Sequence, residues 1–87
     1  MIQLKLFIVK QSKMGLAANR NLKALLESER KAEEYTLEII DVFESPAAAE
    51  KERILATPTL MRLSPEPVKR IMGDLSDLET VKLMLEL

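Results

Sequence analysis

The sequence contains no cysteine and no histidine. Without cysteine the chain can form no disulfide and carry out no thiol redox chemistry, and the usual zinc ligands are missing as well. Ser12 could be considered a nucleophile, but no histidine exists to activate it, so a loop or capping serine is the better interpretation. A thiol redox or peroxide enzyme is therefore close to excluded, and we expect no cofactor.

Aromatic residues are scarce and the charges nearly balance. Phe7, Tyr35 and Phe43 are the three aromatic residues, so the core must be aliphatic. The 13 basic and 14 acidic residues give a net charge of −1, which provides no basic footprint for nucleic acid. Three aromatic residues are also too few for a base-stacking platform. Composition therefore argues against nucleic acid as a partner.

Long apolar runs are absent too, and none approaches the roughly 20 residues that a membrane span needs. The first predicted strand starts at residue 2, which leaves no room for a signal peptide before it. We therefore expect a cytoplasmic protein with no membrane partner. Its 87 residues, 47% of them apolar, suffice for one core, which predicts a single domain over residues 1–87.

The first half of the chain predicts a parallel strand–helix–strand unit. Residues 2–9 alternate with both faces mostly apolar, which is typical of a strand covered on both sides. Residues 35–42 form a similar strand. Between them, residues 16–31 predict an amphipathic helix long enough for a parallel crossover. Its apolar positions are Ala18, Leu22, Leu25 and Leu26.

Asp41 lies inside the second predicted strand among apolar neighbours. It could be a carboxylate with a raised pKa and a chemical role. More often such a residue bonds the backbone or a nearby lysine, and we favour this structural interpretation.

The second half predicts a short helix, a hairpin and a last helix. Ser45-Pro46 is a helix start with a side-chain cap, and the helix continues to Arg53. Residues 59–63 and 68–72 predict an antiparallel hairpin. The last helix is predicted from a capping box and an apolar stripe. The box is Ser76 with Glu79, and the stripe is Leu78, Val81 and Leu85, in a helix that runs to Leu87.

The resulting element order, βαβαββα, indicates an α/β fold with a four-stranded mixed sheet and helices on both faces. This is the thioredoxin-like architecture. The corner Thr57-Pro58-Thr59, which leads into a predicted strand, looks like the cis-proline corner of such folds. An X-Pro bond is the ordinary place for a cis peptide.

Three motifs in the second half carry a narrower resemblance. They are Ile54-Leu-Ala-Thr-Pro-Thr-Leu60, Pro65-x-Pro67-Val68-x-Arg70-Ile71 and Gly73-Asp74-Leu75-Ser76. Earlier in the chain, Ile39-Ile40-Asp41-Val42 and Pro46 fit the same pattern. On these residues the chain resembles the KaiB family of circadian-clock proteins, and the resemblance covers nearly the whole chain.

This resemblance implies a non-enzymatic regulatory protein that docks on the ATPase ring of KaiC and modulates its phosphorylation and ATPase cycle. It also implies a KaiA-like third partner, the displacement of a kinase-bound partner, and a homo-oligomer (dimer or tetramer). The family is metamorphic, so the alternative is the rearranged, usually tetrameric fold, βαββααβ.

The chain departs from the family pattern at three places. Met84 stands where cyanobacterial relatives have glycine, the chain stops at Leu87 where they continue with an acidic tail, and residues 11–15 lack the usual Gly-Asn-Thr-Pro-like turn. Glycine costs a helix about 1 kcal/mol relative to a good helix former such as methionine, so the first departure stabilises the last helix. The second removes part of the final strand and tail of the alternative fold, and both therefore favour the thioredoxin-like state. The third suggests a paralogue or a non-cyanobacterial member. The missing tail and the altered first loop motivate an alternative function, a KaiB-like sensor or adaptor domain that acts on a histidine kinase or a stress-response partner.

Partner-binding residues can be carried over by position onto the charged residues of the short helix and the hairpin. They are Glu50, Glu52, Arg53, Arg62, Lys69 and Arg70. The alternative interpretation of each residue is a solvated surface charge. For the charged residues of the short helix, the sequence by itself favours a solvated face over a docking surface.

Overall fold

The structure is a computed structural model that describes residues 1–29 and 34–85. The elements in that part of the chain are β1 (Ile2–Ile8), α1 (Lys13–Ser28), β2 (Tyr35–Asp41), α2 (Pro46–Lys51), β3 (Thr59–Ser64), β4 (Lys69–Met72) and α3 (Leu78–Leu85). Their order confirms the predicted βαβαββα, not the rearranged alternative. The predicted end of the first helix, near residue 31, and the predicted run of the last helix to residue 87 lie outside the described residues.

The four strands form one mixed sheet in the order β2-β1-β3-β4. β1 pairs in parallel with β2 and antiparallel with β3, so Leu6 lies opposite both Ile39 and Leu60. β4 pairs antiparallel with β3 at the edge of the sheet. The central position of β1 agrees with its sequence. Consecutive side chains of a strand point to opposite faces of the sheet, so a strand with apolar residues at consecutive positions is expected where both faces are covered.

Apolar side chains form one cluster on each face of the sheet. The larger cluster joins Leu4, Leu6 and Ile8 of β1 to the buried stripes of α1 and α3. The smaller cluster joins Phe7 and Met61 to Ala49 of α2. One face is therefore covered by two helices and the other mainly by a helix of 6 residues.

Both long helices begin at positions that differ from the prediction. α1 starts at Lys13 because the Ser12 hydroxyl accepts the Gly15 N–H at 2.9 Å, which confirms the capping interpretation of Ser12. The predicted capping box of Ser76 and Glu79 is wrong. Instead, Asp77 Oδ1 accepts the Thr80 N–H at 3.3 Å, and the Ser76 N–H is bonded to Asp74 Oδ1.

The other helix predictions are correct in part. Val81 and Leu85 of the predicted stripe are buried together with Met84, whereas Leu78 stays exposed. α2 starts at Pro46 as predicted, but the Ser45 side chain makes no capping hydrogen bond and the helix ends at Lys51. None of the helices in the described ranges has the length and apolar character needed to cross a membrane.

Candidate docking surface

Four of the six charged residues predicted to bind a partner are exposed. They are Glu50, Arg53, Lys69 and Arg70. Glu52 is half-buried. Arg62 is fully buried, so the prediction that it contributes to an exposed docking surface is wrong for this structure.

Arg62 is buried because β3 directs its side chain toward the face of the sheet that α3 covers. Arg62 Nη1 donates to the carbonyl oxygen of Met84 at 2.6 Å. Nη2 donates to the carbonyl oxygen of Pro67 at 3.1 Å. A cation near the last turn of a helix also interacts favourably with the helix dipole. Arg62 therefore joins β3, the turn after it and α3, which is a structural role.

Arg53 occupies an unusual backbone position at the end of α2. Its N–H donates to Glu50 O at 3.0 Å and the Ile54 N–H donates to Ala49 O at 2.9 Å, which is the hydrogen-bond pattern of a Schellman motif. The φ angle of Arg53 is 54°, in the left-handed region. A side chain there costs about 1–2 kcal/mol, and glycine is the usual residue. The end of α2 therefore holds an exposed guanidinium at a position that favours glycine.

Arg70 is brought to Arg53 by the edge strand. Arg70 Nη1 lies 3.4 Å from Arg53 O and donates to it. Both arginines line a cavity of about 240 Å³ together with Ile54, Leu55, Thr59 and Met72. Because side chains alternate along a strand, Lys69 points to the opposite face of β4. The structure thus places Arg53 and Arg70 in one site and leaves Lys69 outside it.

Two apolar residues of this cavity were not predicted. The side chain of Leu55 is 95% exposed and that of Met72 is 68% exposed, although both are large and hydrophobic. A sequence signal exists for Leu55, since it lies in the connection between α2 and β3 and belongs to neither element. Met72 gives no such signal, because its exposure depends on β4 being the edge strand.

The corner before β3 contributes Thr59 to the lining of the cavity. The Thr57–Pro58 peptide bond is cis, and Pro58 and Thr59 are buried. The Thr59 hydroxyl donates to Ala56 O at 2.6 Å, and the Gly73 N–H donates to Pro58 O at 2.9 Å. The first bond fixes the corner itself, and the second connects the start of β3 to the end of β4, so hydrogen bonds hold the backbone next to the cavity.

The remaining acidic candidates serve local structure. Asp41 Oδ1 accepts the Phe43 N–H at 2.9 Å, which is the structural interpretation that we favoured. Hydrogen bonds from Ser76 hold the pKa of the Asp74 carboxyl below its ordinary value. The side-chain and then the backbone hydrogen bonds of Thr80 do the same for the pKa of Asp77. Over residues 1–29 and 34–85, no group of three or more His, Cys, Asp or Glu side chains could hold a metal ion.

Solved structures similar to this chain have the same architecture. The N-terminal domain of Synechococcus elongatus SasA is 21% identical, with a TM-score of 0.76 over 99% of this chain and 85% of that one. Mitochondrial thioredoxin 3 from Saccharomyces cerevisiae is 18% identical, with a TM-score of 0.77 over 99% of this chain and 78% of that one. At these identities the likeness shows the thioredoxin-like fold alone.

Proteins related by sequence share a much higher identity with this chain. The circadian clock oscillator protein KaiB of Prochlorococcus marinus is 48% identical over 97% of this chain and 78% of the relative. The KaiB protein of Nostoc punctiforme is 45% identical over 97% of this chain and 80% of the relative. The KaiB domain family profile matches residues 5–87. These matches confirm the resemblance found in the motifs, and the chain belongs to the KaiB family.

Proposed function

We propose that the protein is a non-enzymatic regulator of a circadian clock, which docks on a KaiC-type ATPase ring and modulates the phosphorylation and ATPase cycle of that ring. The observation that carries this proposal is the 48% identity, over 97% of the chain, to a relative named as a clock oscillator protein. The fold supports it by presenting cationic and apolar side chains together on one surface.

In this proposal the docking surface consists of Arg53, Leu55, Arg70 and Met72, with Glu50 and Glu52 at the end of α2 beside it, whereas Lys69 on the opposite face of β4 is not part of it. Charged groups of this kind mainly set the association rate and exclude wrong partners. The protein can shift the conformational equilibrium of the ring only by the difference between its affinities for the two ring states. Docking therefore has to occur preferentially on one state of the ring.

The proposal includes a cytoplasmic location, a KaiA-like protein as third partner and a homo-oligomer of two or four copies. A histidine kinase is the alternative partner. The partner and oligomer assignments follow from family membership.

Co-elution tests the proposal directly. The protein would be mixed with the KaiC-type ATPase of the same organism and ATP, and passed over a size-exclusion column at low and at moderate salt. We expect a shifted complex that weakens as salt rises, because exposed charges are screened. No complex after overnight incubation would contradict the proposal, and binding to a histidine kinase instead would establish the alternative.

A charge reversal gives the matched comparison. We expect Arg70→Glu to weaken the complex about tenfold or more, since it replaces an attractive charge by a repulsive one. Arg20→Glu changes the same charge on the exposed face of α1 and should leave the affinity within about twofold. Equal losses for the two variants would show that only net charge matters.

A further inference from the structure

The cavity between Arg53 and Arg70 has the dimensions of a site for one side chain. Its volume of about 240 Å³ is below the roughly 300 Å³ at which pockets for drug-sized ligands begin. Ile54 and Thr59 line it together with the exposed side chains of Leu55 and Met72. An aliphatic side chain placed there would remove two exposed apolar residues from water, which is favourable.

The charged residues that line this cavity are both cationic. Arg53 and Arg70 both line it, and among the described residues neither guanidinium has a carboxylate at ion-pair distance. A guanidinium presents a planar set of donors that fits a carboxylate, often with two parallel hydrogen bonds. The cavity therefore combines an apolar interior with a rim suited to an anion.

The backbone of Arg53 is a second, independent observation. At a φ of 54° a glycine would be less strained, and the guanidinium is held at the cavity by a conformation that disfavours a side chain. Strained positions that persist in a fold are a recognised reason to suspect a functional role.

From these observations we infer that the cavity takes an aliphatic side chain of a partner protein, flanked in the partner sequence by aspartate or glutamate. The aliphatic group enters between Leu55 and Met72, and the carboxylate pairs with Arg53 and Arg70. The identity of the partner rests on the proposed function, whereas the chemistry of the recognised segment rests on this cavity alone.

Capped tripeptides provide a test that needs no partner protein. The ¹⁵N-labelled full chain would be titrated with acetylated, amidated Asp-Leu-Asp, and separately with Asn-Leu-Asn and Asp-Ala-Asp. We expect amide shifts centred on Arg53, Leu55, Arg70 and Met72, and at least about fivefold weaker binding of the two control peptides. Equal binding of the charged and neutral peptides, or shifts centred elsewhere, would overturn the inference.

Arg53→Gly separates binding from folding. This variant relieves the left-handed strain, so its midpoint of urea unfolding should be unchanged or higher. It should nevertheless bind Asp-Leu-Asp about threefold to tenfold more weakly, while its affinity for Asn-Leu-Asn stays the same. Arg53→Lys should recover part of the loss, because it keeps the charge but not the planar donors. An Arg53→Gly variant that binds Asp-Leu-Asp as well as the unmodified protein would contradict the role of Arg53.

Leu55→Ser tests the apolar half, with Leu83→Ser as the matched control, because Leu83 is also largely exposed but lies on α3. Only the Leu55 variant should weaken peptide binding. The two proposals also fail differently. Peptide binding without any complex with the ATPase would leave the cavity assignment intact. An ATPase complex unaffected by both Arg53→Gly and Leu55→Ser would reject the cavity assignment and leave the clock function intact.

Discussion

At the scale of single residues, Arg62 connects three parts of the molecule through its guanidinium. It bonds the Met84 carbonyl in the last turn of α3 and the Pro67 carbonyl in the turn between β3 and β4. Both acceptors are backbone carbonyls. The hydrogen bond to Met84 is buried, and a buried carbonyl that loses its donor costs about 1–3 kcal/mol, whereas the bond to Pro67 is only partly buried and its loss should cost less.

We expect Arg62→Met to lower the free energy of unfolding by about 1–3 kcal/mol, mainly because the buried Met84 carbonyl loses its donor. Arg62→Lys should cost less, since an ammonium keeps the charge and can serve one of the two acceptors. Urea unfolding followed by circular dichroism measures both. Arg20→Met, on the exposed face of α1, is the control and should stay within about 0.5 kcal/mol. An Arg62→Met variant as stable as this control would show that the buried bonds contribute nothing.

The difference between Arg62 and Arg70 could be predicted only in part from sequence. Alternation places Arg62 on the same face of β3 as Leu60, and Leu60 is a core residue. Sequence therefore indicates the direction of the Arg62 side chain. It does not indicate whether the guanidinium reaches water, because that depends on where α3 ends above the sheet. The sequence did not predict the left-handed conformation of Arg53. Arginine is common in the last turn of a helix, so the helix was expected to continue to this residue, and the left-handed position after a helix is usually glycine.

At the scale of elements, the two predicted serine caps turn out to differ. Ser12 accepts the Gly15 N–H, whereas Ser45 contributes only its backbone carbonyl to the start of α2. We expect Ser12→Ala to cost about 1 kcal/mol of stability and Ser45→Ala less than about 0.5 kcal/mol. Thermal unfolding of the two variants under the same conditions measures the difference. Equal costs would mean that the Ser12 hydroxyl is not the group that stabilises α1.

The start of α3 makes stability depend on pH. Thr80 holds the pKa of Asp77 below its ordinary value of 3.8, so the unfolded chain takes up a proton on this residue before the folded chain does. The resulting stabilisation is complete above pH 4 and is lost as the pH falls through the lowered pKa of the folded state. Asp77→Asn should therefore flatten the fall in stability below pH 4, and Thr80→Val should flatten it in part. Unfolding midpoints measured between pH 2 and pH 6 test this expectation, and an unchanged acid limb in Asp77→Asn would contradict it.

The elements themselves were predictable because each has a clear period, and their starts were less so. α3 is preceded by Ser76 and Asp77, and either residue is a good cap. The choice is made by Leu75, whose φ of 63° turns the chain so that Asp74 takes the Ser76 N–H and Asp77 is left to cap the helix. A left-handed leucine is rare enough that no pattern in the sequence predicts it.

At the scale of the whole molecule, the two faces of the sheet are unequally covered and the strands are unequally placed. β1 has a neighbour on each side and lies between the two apolar clusters, whereas β4 is an edge strand with mostly exposed side chains. Regions with little buried apolar surface open locally at low free energy. Stability should therefore fall from the centre of the sheet toward β4 and α2.

Native-state hydrogen exchange measures this gradient. We expect the amides of β1 to exchange only through global unfolding, and those of α2 and the outer amides of β4 to exchange through local opening. As urea is increased, the opening free energies of the two groups of amides should become equal only near the unfolding transition. Protection of β4 equal to that of β1 would contradict the gradient and would indicate that something covers the edge of the sheet.

The central position of β1 also affects how the protein is made. Among the four strands of this sheet β1 is synthesised first, yet one of its two neighbours, β3, is complete only at Ser64. Until then the nascent chain can pair β1 with β2 but keeps an open strand edge, which is a site for association with other chains. The edge of β1 that β3 covers is therefore exposed during synthesis until β3 emerges, and anything that delays β3 lengthens the time in which this edge can associate with another chain.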